Sequence, residues 1–336
     1  MNSKELAKLM GVSQSTISRA LNGSKQISEQ RRQEIVEMAR KLNFEFNLNA
    51  RNLRSQTSNF VGIMLPPRFS SFIADDFRSS QFNYLYAGLS KQDLDPILLS
   101  SEELSTDVAA LERAIKKRQL AGLILWRRIE NDDVIEYLKS LRIPLFAMTR
   151  CNEKMQFIPS VSVDSYRMGY LIGEHFASRG HHRVALVRLA DHDSSDLTTQ
   201  GFRDGLATAK AFLHDEDIYY TGVDFNSGYN ITMENMDRMR GYDAVFSPND
   251  ITALGIIAAL QDNGLSVPVD VAVAGNNDAP TGRWFSPKLT TVHTSLDMQA
   301  TMTCERMVSL LKDGVDPGEE KHYVITPRLV IRESCP

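Results

Sequence analysis

The first forty residues carry apolar side chains at helical spacing, separated by short polar turns. A first apolar stripe lies within residues 6–10, and Ile17 and Leu21 stand four residues apart in a second segment. A third segment, residues 35–42, repeats the spacing of a buried helix face. Gly11 supplies a turn between the first two segments. This pattern predicts an all-α domain of three short helices at the N-terminus.

The polar face of the second predicted helix carries hydrogen-bonding side chains. Ser13 is a good N-cap for this helix, and Gln14, Ser15, Ser18 and Arg19 point away from its apolar pair. Such residue types read base edges and phosphates in a DNA major groove. The pattern predicts a DNA-binding helix-turn-helix, although another small helical subdomain would show the same two helices around a glycine.

The remaining 280 or so residues alternate short apolar runs with amphipathic stretches. A strand–helix–strand rhythm predicts parallel sheets covered by helices. Because the rhythm restarts near residue 184, we expect two Rossmann-like lobes with a cleft where the carboxyl ends of the strands converge. The predicted strands are residues 60–65, 96–99, 122–126, 144–148, 184–189, 244–247 and 271–275, and the predicted helices lie near 75–92, 105–119 and 131–141.

Charge separates the N-terminal segment from the rest of the chain. Residues 1–58 hold ten Lys and Arg against five Asp and Glu, whereas the whole chain has a formal net charge of −4. This asymmetry favours a nucleic-acid-binding domain joined to a domain of another function. Three scattered cysteines, no signal peptide and no apolar run of membrane-spanning length predict a protein of the reducing bacterial cytoplasm, associated with the nucleoid.

A specific resemblance is carried by three N-terminal motifs in order. Residues 11–23 match Gly-Val-Ser-x-x-Thr-[Val/Ile]-Ser-Arg-x-Leu-Asn-Gly, Ile27-Ser28 is followed by Arg32, and residues 47–53 match Asn-x-x-Ala-Arg-x-Leu. The sequence thus resembles the lac repressor/galactose repressor (LacI/GalR) family of bacterial transcription regulators. Family landmarks continue to the closing Leu329-Val330-Ile331-Arg332-Glu333-Ser334.

The resemblance implies a domain organisation and a fold. A helix-turn-helix domain would cover residues 1–46, a hinge helix or linker residues 47–57, and an α/β domain of the periplasmic-binding-protein type I fold residues 58–336. The α/β domain would hold a first lobe (about 58–160 and 292–323) and a second lobe (about 161–291 and 324–336), with crossings near residues 160, 292 and 324.

The same resemblance implies roles on DNA. Gln14, Ser15 and Arg19 occupy base-reading positions. The phosphate-contacting positions correspond to Ser13, Thr16, Ser18, Asn22 and Lys25, and Asn2 would supply a contact that the late start of the match otherwise omits. The hinge residues are Asn47, Ala50, Arg51 and Leu53, with Leu53 wedging into a base step from the minor groove. Paired hinge helices imply a dimer and a near-palindromic operator.

Candidate ligand contacts lie after the predicted strands. Small polar and aromatic residues at strand ends suit a cleft that closes on a small molecule. The candidates are Phe69, Phe72, Trp126, Thr149, Arg150, His192, Ser194, Thr198, Phe225, Asn249 and Asn277. For Phe69, Phe72 and Trp126, core packing is an equally good reading, because aromatic side chains are commonly buried.

Three of these positions depart from the family pattern. Thr198 replaces an arginine, and Thr149 and Asn277 replace aspartates that normally hold sugar hydroxyls. The changes predict an effector other than an ordinary neutral hexose: one with a carboxylate or phosphate, or a less hydroxylated compound. A regulator controlled by abundance or a protein partner, with no effector, remains an alternative.

The sequence also bears on the class of protein. No Walker or Gly-x-Ser-x-Gly signature and no nucleophile–base set is present, so an α/β enzyme with a DNA-binding arm is a remote alternative. We expect no metal and no cofactor, and His181-His182 suits an exposed turn. Because no leucine heptad follows Ser334, we expect a dimer. The resemblance further implies an allosteric, carbohydrate-sensing repressor, and we expect no enzymatic activity.

Overall fold

A computed structural model describes residues 3–21, 27–42, 58–65, 76–100, 102–189, 193–247, 249–314, 318 and 320–336. The chain divides into two compact units, residues 1–58 and 59–336, which are described separately.

The chain begins with three helices and continues with strands and helices that largely alternate. The N-terminal unit holds α1 (Ser3–Leu9), α2 (Gln14–Leu21) and α3 (Glu29–Lys41). The second unit continues with β1 (Phe60–Met64), α4 (Asp76–Ser90), β2 (Asp95–Leu99), α5 (Val108–Arg118), β3 (Gly122–Leu125), α6 (Asp132–Ser140), β4 (Leu145–Ala147) and β5 (Ser160–Val163). It then forms α7 (Ser165–Ser178), β6 (Val184–Leu189), α8 (Asp193–Ala207), β7 (Ile218–Thr221), α9 (Phe225–Glu234), α10 (Met236–Met239), β8 (Ala244–Phe246), α11 (Asp250–Asp262) and β9 (Ala272–Ala274). The last elements are β10 (Thr291–His293), α12 (Leu296–Asp313), β11 (His322–Ile325) and β12 (Arg328–Val330).

The N-terminal unit closes a small core between its three helices. Leu6, Ile17 and Ile35 are fully buried, one from each helix. Gly11 adopts a positive φ of 63° in the α1–α2 turn, a conformation that costs glycine least. Leu9, assigned from its spacing to the buried stripe of α1, is instead 61% exposed, because three short helices bury only a narrow face.

The first lobe is built on a parallel sheet of six strands in the order β11-β5-β4-β3-β1-β2. Both faces of the sheet are covered, so its strands are apolar throughout, as in β1 and β3. The first-lobe strands and helices that the sequence predicts are present, with ends that differ by a few residues. The weakly apolar β5 and β11 were not predicted, because serine, histidine and tyrosine hide their pattern.

The second lobe is built on a parallel sheet of four strands in the order β7-β6-β8-β9. Helices α7 and α8 cover this sheet. They pack against each other with their backbones in contact, because glycines of each helix face the other helix. A Cβ added at Gly169 would lie 1.9 Å from the carbonyl oxygen of Thr198, and one at Gly201 would lie 1.9 Å from that of Tyr166. The two helices therefore hold each other in a fixed register.

The chain passes between the lobes at three places. Strand β5 lies wholly in the first sheet and is followed by α7 of the second lobe, so the first crossing follows Val163. Strand β11 likewise precedes the last crossing, after Ile325. The second crossing lies between β10, which pairs antiparallel with β12, and α12, which packs against the first lobe. The crossings expected near 160 and 324 thus move a few residues later.

All three cysteines are buried and free. Cys151 and Cys304 belong to cores of the first lobe and Cys335 to a core of the second. Burial raises the pKa of each thiol, to about 12 for Cys304 and Cys335. In the described ranges, no helix is long and apolar enough to cross a membrane.

Candidate DNA-binding surface and ligand cleft

Helix α2 separates a buried face from a polar one. Ile17 and Ala20 are buried against α1 and α3, whereas Ser15 and Arg19 are exposed and Gln14 is half-buried. The three residues expected to read bases thus lie away from the core of the unit. An exposed helix with these side chains has the size and chemistry to enter a major groove.

The start of α2 is fixed by a small hydroxyl network. The Ser13 Oγ accepts a hydrogen bond from the backbone N–H of Thr16 at 3.1 Å. The same oxygen lies 2.7 Å from Ser15 Oγ and 2.8 Å from Thr16 Oγ1. Ser13 therefore has a capping role besides the phosphate contact that the sequence predicts. Its two hydroxyl neighbours place further donors at the positive end of the helix, where an anion is favoured.

Several predicted DNA contacts lie outside the described residues. Ser18 is in α2, but its side chain is not described. The others are Asn2, Asn22, Lys25, Asn47, Ala50, Arg51 and Leu53.

The predicted cleft residues of the first lobe follow β3 and β4 at the carboxyl edge of the sheet. Trp126, directly after β3, is 9% exposed and packs in a core cluster with Phe146 and Met148. Thr149 and Arg150 follow β4, with Thr149 half-buried and Arg150 exposed. The structure therefore assigns Trp126 a packing role, while Thr149 and Arg150 are placed where a ligand would meet the sheet edge.

In the second lobe, most predicted contacts are engaged within the protein. Thr198 Oγ1 donates to the Ser165 carbonyl oxygen at 3.1 Å, which links α8 to the start of α7. Asn249 Oδ1 caps α11 by accepting from the Thr252 N–H at 2.9 Å, and Phe225 packs against a core cluster. Asn277, with φ of 117°, donates its backbone N–H to the Val292 carbonyl. Phe69, Phe72, His192 and the Ser194 side chain lie outside the described residues.

An aspartate pair beside the lobe crossing was not predicted from the sequence. The buried Asp250 accepts from Thr291 Oγ1 and from the Ala279 N–H, both at 2.6 Å. Burial raises the pKa of Asp250 to about 7, and the neighbouring Asp278 adds to the rise. The local sequence predicts a helix start at Asn249-Asp250, but it gives no sign of these long-range partners.

The second aspartate of the pair, Asp278, is held by three cationic or basic side chains. Arg332 donates to one carboxylate oxygen, and Arg283 (3.0 Å) and His293 (2.9 Å) meet the other. These partners hold the pKa of Asp278 below its ordinary value, although burial opposes them. The network ties the loop after β9 to β10 and to the C-terminal segment, at the point where the chain crosses between lobes.

One arginine at the carboxyl edge of the first sheet has unmet hydrogen-bonding capacity. Arg127 follows Trp126, and its Nε and Nη1 are buried without an acceptor among the described residues. Burial lowers the pKa of this guanidinium, and the charge of Glu102 opposes the shift only in part. The sequence signal that was available is the charged pair Arg127-Arg128 placed directly after a wholly apolar strand.

Exposed aromatic side chains lie on two elements that contact each other. Helix α4 exposes Tyr84 and Tyr86, and the short 3-10 helix Pro280–Arg283, which contacts α4, is followed by Trp284 with 79% of its surface exposed. Exposed apolar surface marks interaction sites, and the contact between these two elements makes their exposed aromatics candidates for one. We call Tyr84, Tyr86 and Trp284 the aromatic patch.

These features define a class of protein. A helical unit with an exposed polar recognition helix precedes a two-lobed α/β unit of the type that binds small molecules between its lobes. A sequence profile described as "Bacterial regulatory proteins, lacI family" matches residues 3–47, and one described as "Periplasmic binding protein-like domain" matches residues 173–335. The chain therefore joins a LacI-type DNA-binding domain to a periplasmic-binding-protein-like domain, and it is a DNA-binding transcriptional regulator.

Full-length relatives agree with this assignment. The HTH-type transcriptional repressor PurR of Mannheimia succiniciproducens is 27% identical over 350 residues, covering 98% of this chain and 97% of that protein. The crystal structure of the lac repressor dimer bound to operator and the anti-inducer ONPF matches with a TM-score of 0.83 at 21% identity, covering 100% and 99% of the two chains. The transcriptional regulator CelR–cellobiose complex matches with a TM-score of 0.73 at 22% identity, covering 99% of each. At these identities the structural matches show the fold.

Proposed function

We propose that this protein is a homodimeric repressor whose affinity for a near-palindromic operator is set by a small molecule in the cleft between its lobes. The observation that carries the proposal is α2, whose Gln14, Ser15 and Arg19 face away from the core of a separate helical unit. None of the three belongs to the hydrophobic core of that unit. Their chemistry suits base edges.

Dimerisation is supported by the aromatic patch. Its three side chains lie on elements of both lobes, so a second copy seated there would respond to lobe closure. Movement between lobes would then change the spacing of two recognition helices, which a two-fold operator reads as a change in fit. The residues outside the described ranges, including Asn2, Asn22, Lys25 and hinge residues Asn47, Ala50, Arg51 and Leu53, are proposed to keep the DNA roles that the family pattern gives them.

A sugar-related effector is supported by relatives. CelR is named in complex with cellobiose, and the lac repressor with ONPF, while the two-lobed unit here has the same fold. We place the protein in the cytoplasm, where operator DNA lies, and assign it no catalytic activity.

The test selects operators from a random DNA library with the full-length protein. We expect enrichment of sequences with two-fold symmetry, bound with steep salt dependence and one dimer per site in analytical ultracentrifugation. Recovered sequences without symmetry, or equal affinity for random DNA, would contradict the proposal. Effector control is checked separately, by fluorescence anisotropy of the selected operator in the presence and absence of candidate ligands.

A second candidate function is a regulator without an effector, controlled by abundance or a protein partner. The internal hydrogen bonds of Thr198 and Asn249 favour it, because side chains already engaged are costly to redirect to a ligand. Under this alternative, operator affinity stays constant across all small molecules, whereas the first proposal requires at least one that changes it.

A further inference from the structure

Arg127 brings an unmet positive charge to the carboxyl edge of the first-lobe sheet. It lies two residues beyond β3, at the sheet edge where α/β proteins bind ligands. Its Nε and Nη1 are buried and find no acceptor in the described part of the chain. A guanidinium has donors only, so these groups call for an acceptor that none of the residues described in the structure provides.

Two arginines of the second lobe also bury side-chain nitrogens, but unlike Arg127 each of them is paired with an aspartate. Arg188 and Arg203 line a groove of about 260 Å³ in the second lobe and also bury their Nε atoms. Each of them, however, is paired with an aspartate, Asp196 and Asp215 respectively. The acid whose charge acts on Arg127 is Glu102, and among the described residues no hydrogen bond or ion pair joins the two side chains. Arg127 is therefore charged, partly desolvated and not neutralised by a described carboxylate.

The acidic groups of the opposite lobe are not free to serve it. Asp250 already accepts from Thr291 and the Ala279 N–H, and Asp278 is engaged by Arg332, Arg283 and His293. Closure of the lobes thus brings no uncommitted carboxylate from this pair to Arg127. Within the described ranges the charge has no carboxylate partner, and burial makes a partner worth more than it would be in water.

Unmet acceptors complete the pattern. Asn276 Oδ1, after β9, and Thr294 Oγ1, in the crossing segment after β10, are buried without a hydrogen-bond partner among the described residues. A ligand hydroxyl donates to such oxygens. The first lobe therefore has unpaired hydrogen-bond donors that suit an anion, and the second lobe has unpaired acceptors that suit hydroxyl groups.

The geometry points to a hydroxylated anion, such as a sugar acid or sugar phosphate, as the effector, with its anionic group bound by Arg127. This inference rests on the proposed effector-controlled function and narrows it to one chemical class. A carboxylate or phosphate accepts from a guanidinium in the bidentate geometry that makes such pairs strong. Relative to the family pattern, the loss of two carboxylates at Thr149 and Asn277 outweighs the loss of an arginine at Thr198, so the net change in charge acts in the same direction.

The experiment measures binding to the full-length protein by calorimetry. The anionic probes are gluconate and 6-phosphogluconate for a carboxylate, and glucose 6-phosphate and inorganic phosphate for a phosphate. The neutral probes are glucose, ribose and cellobiose. We expect an anionic probe to bind, with affinity reduced roughly tenfold or more in Arg127→Gln and partly restored in Arg127→Lys. Arg128→Gln is the matched control, because Arg128 is already paired with Glu130 at 2.5 Å, and it should keep the wild-type affinity.

The outcomes separate this inference from the proposed function. A neutral probe that binds wild type and Arg127→Gln equally overturns the anionic class and leaves effector control standing. If Arg128→Gln loses as much affinity as Arg127→Gln, the assignment to Arg127 is wrong. If no probe binds and none changes operator affinity, both effector control and the inference fail.

A second measurement needs no ligand. An unpartnered buried charge destabilises the protein that holds it. We therefore expect Arg127→Met to raise the midpoint of urea unfolding of the ligand-free protein, and Arg128→Met to leave it unchanged or lower it. A lower midpoint for Arg127→Met shows a structural role for this arginine and overturns the inference.

Discussion

Arg19 and Asp250 are two charged residues in opposite environments, one exposed to solvent and the other buried. Arg19 is exposed on α2, where we propose that it reads bases, and it lies outside the core of the helical unit. Asp250 is buried at the start of α11, where it organises the loop after β9. Substitution of the first should change DNA binding at constant stability. Substitution of the second should change the response of stability to pH.

Arg19→Ala should relax base preference by about 1–3 kcal/mol, because a bidentate contact to a guanine edge is lost. The measurement is the ratio of affinities for the selected operator and for random DNA, by fluorescence anisotropy at fixed salt. Glu5→Ala, an exposed change on α1, serves as the control. Equal losses on both DNAs would assign Arg19 to phosphate contact.

Asp250→Asn should remove a pH-dependent part of the free energy of unfolding. The folded-state pKa of about 7 lies above the ordinary aspartate value of about 3.9, so the protonated form favours folding. This contribution is full at low pH, falls as pH rises toward 7 and is absent above it. Asp278, whose pKa is lowered, titrates below this interval.

The measurement is urea unfolding of both proteins at pH 5, 6, 7 and 8. His175 and His181, whose pKa values burial lowers, add an opposite slope near pH 6, but they are common to both proteins. The wild-type advantage over the variant should therefore shrink from pH 5 to pH 8. A difference that stays constant with pH would mean that Asp250 does not titrate in this interval.

At the scale of elements, the α7–α8 pair depends on the absence of side chains. Gly169 and Gly201 each meet a backbone carbonyl that a Cβ would overlap. Backbone cannot yield as a flexible side chain does. The register of these two helices is therefore more sharply defined than that of helices packed through ordinary side chains.

Gly201→Ala should lower the free energy of unfolding by about 1–3 kcal/mol or more, because α7 must move away from α8. Urea denaturation measures the loss. Glu174→Ala, an exposed position on α7, is the control and should change stability by less than about 0.5 kcal/mol. Wild-type stability in Gly201→Ala would show that the helices separate at little cost.

How much of these elements could be predicted depends on how strongly each sequence shows its period. The buried strands β1 and β3 are nearly all apolar and are visible in the sequence. Strands β10 and β12 are three residues long and half polar, so neither shows a recognisable period in the sequence. They pair with each other at the crossing between lobes. Asp250 and Thr291 meet across 41 residues, a contact that no local pattern encodes. The ligand candidates Thr198 and Asn249 were chosen by position, and their internal hydrogen bonds depend on tertiary structure.

At the scale of the whole molecule, the proposed mechanism couples the cleft to the operator through the dimer. Coupling is reciprocal, so an effector that weakens operator binding by some factor must itself bind more weakly, by the same factor, to the operator complex. The aromatic patch lies on elements of both lobes and is the surface through which lobe movement would reach the second copy.

Trp284→Ser combined with Tyr86→Ser should shift the protein toward monomers and weaken operator binding, because two large aromatic surfaces leave the proposed interface. Sedimentation velocity over a range of concentrations measures the first effect, and anisotropy the second. Tyr220→Ser, at an exposed tyrosine of the second lobe outside the patch, is the control. A doubly substituted protein that remains dimeric would place the interface elsewhere.

The burial of all three cysteines has a practical consequence for studying these motions. Thiol reagents attack the thiolate, and each native thiol is both shielded from solvent and disfavoured in that form. A single cysteine introduced on the surface of either lobe should therefore take up a maleimide fluorophore selectively, with the native cysteines left in place. Lobe closure, operator binding and subunit exchange could then be followed by energy transfer in a protein that differs from the natural one only at the labelled positions.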